Sequence, residues 1–347
     1  MEEQKSQDPH SFDQRCLSHE GIYTIPEGVT EIAASGFKNQ ERIKSINIPG
    51  SVTRIGIGAF YGCKKLKHVI LPEGLLEIGK YAFYGSGLES IEIPKSVKRI
   101  GIGAFDGCKK LKYVSLPEGL EAIGYEAFQN SGLESMEIPG SVTWIGLGAF
   151  LNCKKLKYVT LNEGSEGIGV YAFSDSGLES IEIPKSVTSI KSWAFHKCKN
   201  LKNIIVEEGD VKRIKALLPE EHKNKVILRE HYERAQKIIH NVYASIVMES
   251  TQLPPELVDM VCSYLNDDEA YARMQAVPIP RIDDENTWNE YKTALNNAAT
   301  NSASSSSALH SSSLDGAAPS APSSSSSSGG GGEGHDKGPG KGGRNNS

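Results

Sequence analysis

The residues of this 347-residue chain able to attack a carbon centre or ligate a metal are chiefly its six cysteines and nine histidines. Their spacing argues against both kinds of chemistry. His222, His231 and His240 lie nine residues apart, not the three or four that set two imidazoles on one helix face for zinc. Cys262 sits among apolar residues with no histidine near it in sequence, whereas a nucleophilic thiolate needs a cationic setting. The glycine run near the end of the chain neither follows a strand nor opens a helix, so it is no phosphate loop. Lys and Arg number 38 against 43 Asp and Glu, a net charge of −5, which gives no general electrostatic case for nucleic acid. No run of 18 apolar residues exists, so no membrane insertion is expected. These residues describe a non-enzyme, with no metal and no cofactor.

The elements that hold the cysteines explain their spacing. Phe recurs at positions 37, 60, 83, 105, 128, 150, 173 and 195, in steps of 22 or 23. Each Phe belongs to the pattern L-x-x-I-x-I-P-x-x-V-x-x-I-G-x-x-A-F-x-x-C, clearest from Leu88 to Cys108. Ile91 and Ile93 alternate with Ser90 and Glu92, the period of a half-buried strand, and Pro94 ends it by removing a donor. Val97 and Ile100 turn back into the same interior, and Phe105 fills the coil centre. The Gly after each such Ile (Gly56, Gly79, Gly101, Gly124, Gly146, Gly169) is expected to take a positive φ at a turn. No copy of this length encloses a core alone, but stacked copies share one. Eight copies fit between residues 20 and 200, with a partial ninth to Val206. The expected fold is an α/β-type repeat solenoid with a parallel strand ladder.

The I-P and A-F-x-x-C signatures resemble the BspA-like class of leucine-rich repeats over residues 20–206. That resemblance implies an interaction surface and no chemistry. Cys63, Cys108, Cys153 and Cys198 are two repeats apart, or ~10 Å along a ladder, beyond disulfide reach. They read as a row of buried small hydrophobes. Unpaired cysteines suit a reducing compartment, and Met1 to Cys16 has no apolar signal region, so a cytoplasmic protein is expected. On the exposed strand face Lys67, Lys112 and Lys157 alternate with Glu89, Glu134 and Glu179, which reads as a charge-paired solvated face. One residue further along, His68, Tyr113 and Tyr158 recur on alternate strands. Tyr is large, stiff and polar at its tip, so this stripe, with its lysines, is the candidate site for a protein target.

After Val206 the repeat is lost. Leu217 to Glu221 reads as the start of helix, and Leu228 to Met248 as a helix with one apolar stripe, which either covers the open end of the solenoid or docks the next segment. That segment, Leu253-Pro254-Pro-Glu-Leu257 through Val261 to Tyr264-Leu265, resembles the opening helix of an F-box, L-P-x-E-L-x-x-x-h-x-x-Y-L. The later V-C-x-x-W part of that family is absent. The resemblance implies the Skp adaptor of a cullin–RING ubiquitin ligase as partner, and is similar to effectors that join truncated F-boxes to repeat arrays. The expected layout is an arm at 1–19, the array at 20–206, helices at 207–298 and a tail at 299–347. With 16 Ser and 10 Gly in residues 301–347, the tail buries too little to offset ordering and is expected to be disordered. The expected function is a monomeric, effector-like adaptor; a surface adhesin is the alternative.

Overall fold

A computed structural model describes residues 13–251, 273–280 and 284–300. Each coil of the solenoid has three sides. A strand of three or four residues forms the front, a strand of two residues forms the back, and the Ala-Phe turn closes the coil. Ten front strands, from Ile22–Thr24 to Val226–Leu228, form parallel sheets of three, two and five strands. Backbone bonds continue across the breaks: the Glu89 N–H donates to the Lys67 carbonyl at 3.2 Å and the Glu134 N–H to the Lys112 carbonyl at 3.3 Å. Eight back strands, from Glu31–Ile32 to Ser189–Ile190, form one continuous parallel sheet. The back sheet exists because Ile55, Ile78, Ile100, Ile123 and Ile145 stand in register at one inward position of successive copies.

Inside, the phenylalanines stack. From Phe37 to Phe195 adjacent ring centroids are 5.1 to 5.9 Å apart, with planes 2° to 14° from parallel. Each such pair adds ~0.5–1.5 kcal/mol beyond the area it buries. The four array cysteines are free and buried beside this stack. Each Sγ donates to the carbonyl of the preceding coil's Phe, as Cys108 does to Phe83 at 3.0 Å, so the thiols serve as hydrogen-bonded fillers. Burial pushes Cys63 and Cys153 up to about 11 and Cys108 up to about 12, the opposite of a reactive thiol.

The glycine expectation is corrected. Gly56, Gly79, Gly101, Gly124, Gly146 and Gly169 do not have positive φ. A Cβ there would meet backbone of the previous coil at 2.5 to 2.7 Å, so these glycines permit close coil-to-coil approach. The left-handed position comes two residues later. There Gly58, Gly103 and Gly148 alternate with Tyr81, Glu126 and Tyr171, so positive φ does not demand glycine.

The C-terminal region differs from its sequence reading at Leu228. Helices α1 (Val211–Leu217) and α2 (Glu220–Lys223) are short, and Val226–Leu228 is a strand, not the start of the helix. It pairs with Asn203–Val206 and ends the front ladder. Helix α3 (Arg229–Thr251) then packs Ala235, Ile238, Ile239 and Tyr243 against Ile205 and Ile227. The same cluster holds Met274, Ile279 and, from α4 (Glu285–Thr300), Trp288, Tyr291 and Leu295. The helix covers the end of the front ladder and also packs against Met274 and α4, while the segment 253–265 that follows it in sequence lies outside the described residues.

Candidate functional site

Lys67, Lys112 and Lys157 stand one residue ahead of the front strands that begin at His68, Tyr113 and Tyr158. Their ammonium groups reach Glu89 at 2.9 Å, Glu134 at 3.3 Å and Glu179 at 3.9 Å, and Lys202 also reaches Glu179, at 3.4 Å. Hydrogen bonding to Lys67, and its charge, hold the Glu89 carboxyl below its usual value. Such solvated pairs add little to stability and weaken with salt; here they keep long side chains aligned along the coil edge.

His68, Tyr113 and Tyr158 are the first residues of their strands and face solvent. In register they lie opposite Ser45, Ser90, Ser135 and Ser180, so each large side chain has small neighbours across the ladder. Tyr113 is 56% and Tyr158 44% exposed. The Tyr113 hydroxyl donates to the Glu134 carboxylate at 3.4 Å, which ties the ring to the charge row beside it. Ile70, two residues after His68 on the same outward side, is 82% exposed and extends the face with an apolar surface that the sequence reading missed.

At its far end the stripe runs into the cap. Tyr158 borders a cleft of about 400 Å³ between the front strands and the C-terminal helices. Ser180 and Asn203 are buried there, with the Asn203 amide donating to the Ser180 hydroxyl at 3.3 Å. Gln275 donates to Gln236 at 3.1 Å across the cleft, and Val277 and Pro278 supply an apolar wall. Lys225 also lines the cleft, its ammonium pulled below the usual value by burial. A cleft of amides, hydroxyls, Lys225 and the Lys202–Glu179 pair next to an exposed tyrosine can hold a polar group of a partner.

A second exposed band lies on the opposite edge. Ile57, Tyr125 and Leu147 follow the close-approach glycines, and Tyr81, Tyr171 and Trp193 occupy the next position. Trp193 opens onto a groove of about 740 Å³ bounded by His196, Leu217 and Pro219. The signal is present in the sequence, as an apolar residue after nearly every I-G, but it does not alternate with charge as the front-face stripe does.

Leu253, Pro254, Leu257, Val261, Tyr264 and Leu265, the F-box-like positions, lie outside the described residues. Among the described residues no group of three or more His, Cys, Asp or Glu could hold a metal, and no helix is long and apolar enough to cross a membrane.

The model of the BspA type leucine rich repeat region matches residues 30–150 and 121–218, together more than half of the chain. Among solved structures, a leucine-rich repeat protein from Bacteroides ovatus is 31% identical, covering 54% of this chain and 56% of that one, with a TM-score of 0.49. The chain therefore spans little over half of that protein. The T. pallidum leucine rich repeat protein is 32% identical over 45% of this chain and 76% of its own, with a TM-score of 0.41. The pneumococcal vaccine antigen PcpA is 20% identical over 60% of this chain and 67% of its own, with a TM-score of 0.40. No curated protein sequence matches the chain.

Proposed function

The chain belongs to the BspA-type leucine-rich repeat family, and on that premise we propose that its front strand face binds a protein. The binding stripe is His68, Tyr113 and Tyr158 with the flanking Lys67, Lys112 and Lys157, and it ends in the cleft beside Tyr158. The observation that carries this reading is that two large tyrosines stay exposed in ladder register while the charges around them are paired with one another. Stiff aromatic side chains with small neighbours give contact area at low entropic cost. The C-terminal part of the proposal is recruitment of the Skp adaptor through Leu253, Pro254, Leu257, Val261, Tyr264 and Leu265, and it rests on the sequence of that segment. In that reading the protein is a non-enzymatic adaptor of a reducing compartment. A surface adhesin would use the same face without the adaptor.

The test places a photo-crosslinking residue at Tyr113, Tyr158 or, as control, Tyr125 in the full chain exposed to eukaryotic cytosol. Tyr113 and Tyr158 are expected to capture the same partner and Tyr125 not to. Replacing both stripe tyrosines by Ala should then weaken that partner's binding by about a thousandfold, at ~2 kcal/mol for each buried tyrosine. Capture from Tyr125 alone would move the binding face to the opposite edge. Leu257→Ala with Leu265→Ala should abolish co-purification with Skp; a wild-type chain that never binds Skp ends the recruitment reading and leaves the strand face standing.

A further inference from the structure

The corner ahead of the front strands carries a lysine pair after three of the array cysteines: Lys64-Lys65, Lys109-Lys110 and Lys154-Lys155. All six side chains are exposed. In the fourth copy the two lysines flank the cysteine, as Lys197 and Lys199. The coils between them turn the same corner with Ser-Gly. Gly87, Gly132 and Gly177 lie so close to the lysine corners that a Cβ on each would stand 2.1 to 2.2 Å from the carbonyl oxygen of Lys64, Lys109 and Lys154. No side chain can rise at those glycines. The lysine pairs therefore stand as ridges with glycine-floored gaps between them, recurring every two coils, or ~10 Å at the usual strand spacing.

One gap is a cleft of about 510 Å³. Lys109 bounds one side and Lys154 and Lys155 the other, with Ser131-Gly132 as floor. Asn152 donates to Asn130, and Asn130 donates to Asp106 at 3.0 Å. Asp106 is the acid in this lining; it is buried, and burial raises its pKa. Lys154 is also bridged to Asp175 at 2.7 Å. The strand face beside it is electrically different. There Lys67, Lys112 and Lys157 each meet a glutamate one coil on, whereas at this corner the following coil supplies Ser-Gly, preceded only in the Lys154 case by a paired carboxylate, Asp175. A chain of net charge −5 thus gathers eight lysines along one edge, with Asp106 and Asp175 among them and Glu89 and Glu126 close by.

We propose that this edge binds an acidic polysaccharide lying along the solenoid axis, its carboxylate or sulfate groups seated between successive lysine pairs. Charge spacing selects this occupant. A DNA strand carries one phosphate every ~3.4 Å, about three for each step between lysine pairs, and favours free aromatic faces for its bases. Tyr61 and Tyr84, the aromatics near this corner, are stacked on each other at 4.5 Å. An acidic peptide would bring apolar side chains, and among the residues lining the cleft none is aliphatic. A polysaccharide with one or two charges per sugar pair matches the wide step, and its hydroxyls match the amides of Asn130 and Asn152 and the Ser131 hydroxyl. The inference is independent of the strand-face reading.

The test titrates the full chain with chondroitin sulfate, which carries one carboxylate and one sulfate per sugar pair. Single-stranded DNA and poly-glutamate of matched length run in parallel at about 0.15 M salt, where surface charges are screened beyond ~8 Å. Chondroitin sulfate is expected to bind more tightly than the other two. Lys109→Ala with Lys154→Ala and Lys155→Ala should weaken it at least tenfold without changing the melting temperature. Lys80→Ala with Lys95→Ala and Lys185→Ala, which removes the same charge elsewhere, should weaken it less than twofold. Absence of binding, an equal loss in both triple variants, or tighter binding of DNA or poly-glutamate would each overturn the proposal.

Discussion

Phe105 and Trp288 are both fully buried, yet they are held by different kinds of neighbour. Phe105 lies between its own copies, Phe83 at 5.4 Å and Phe128 at 5.2 Å, with ring planes within 4°. Trp288 meets His231 and Tyr291 edge-on at 6.0 and 5.9 Å, and the Arg234 guanidinium lies over its ring at 4.5 Å. Translation of one sequence by one coil can only stack a ring on a parallel copy of itself. The cap has no such symmetry, so its rings find edges and cations instead. The array should therefore lose stability by coupling from coil to coil, and the cap as one local cluster.

The largest effects test that difference. Phe105→Ala and Trp288→Ala should each cost ~3–5 kcal/mol. Hydrogen exchange should show protection falling on both sides of Phe105, from Ile91 to Ile123, but only in α3, α4 and the last front strands for Trp288. Simultaneous loss throughout the chain in both variants would erase the distinction. A middle-sized effect separates two roles of glycine inside the array. Gly124→Ala drives a methyl into backbone of the previous coil and should cost ~1–3 kcal/mol. Gly148→Asn, at a left-handed position where Glu126 stands one coil earlier, should melt within a degree or two of wild type. Equal losses would mean that backbone angle, not coil approach, governs both.

The smallest effect lies at the junction of array and cap. His222 is buried edge-on to Phe195 with the Glu221 carboxylate 3.4 Å from its Nε2, and burial, with the Lys225 charge, outweighs that carboxylate and lowers its pKa from the ordinary 6.5. A depressed folded pKa means the stabilisation is present above the unfolded value and is lost as pH falls below it. Melting temperature should drop between pH 7.5 and 5, and His222→Phe should reduce that drop. An unchanged slope in the variant would assign the pH dependence to other groups.

The array was legible because its contacts are nearly local. A residue's neighbour in the next coil is 22 or 23 positions away and is usually the same residue type, so the period alone set the inward Phe, Ile and Cys and the outward Tyr113 and Tyr158. The cleft beside Tyr158 was not legible. Its walls come from Ser180, Asn203, Gln236 and Gln275, which share no pattern and meet only because α3 folds back over the last front strands. Val226–Leu228 misled for a related reason. Three apolar residues before a helix fit either structure, and the unpaired edge of Asn203–Val206 decided for a strand.

What the amino-acid order determined by itself is the coil: its length, its inward side chains, the two-copy alternation of cysteine with Ser-Gly, and the charge row of the front face. Those features depend on periodicity, which a chain carries whether folded or not. The tertiary structure decided how closely the coils approach, and so why Gly56, Gly101 and Gly146 must lack a side chain while Tyr81 and Tyr171 tolerate the left-handed turn. It also decided which lysines keep a glutamate beside them and which stand over glycine gaps. Steric approach and charge environment are sums over groups far apart in the chain, and only the stacked coils bring those groups together.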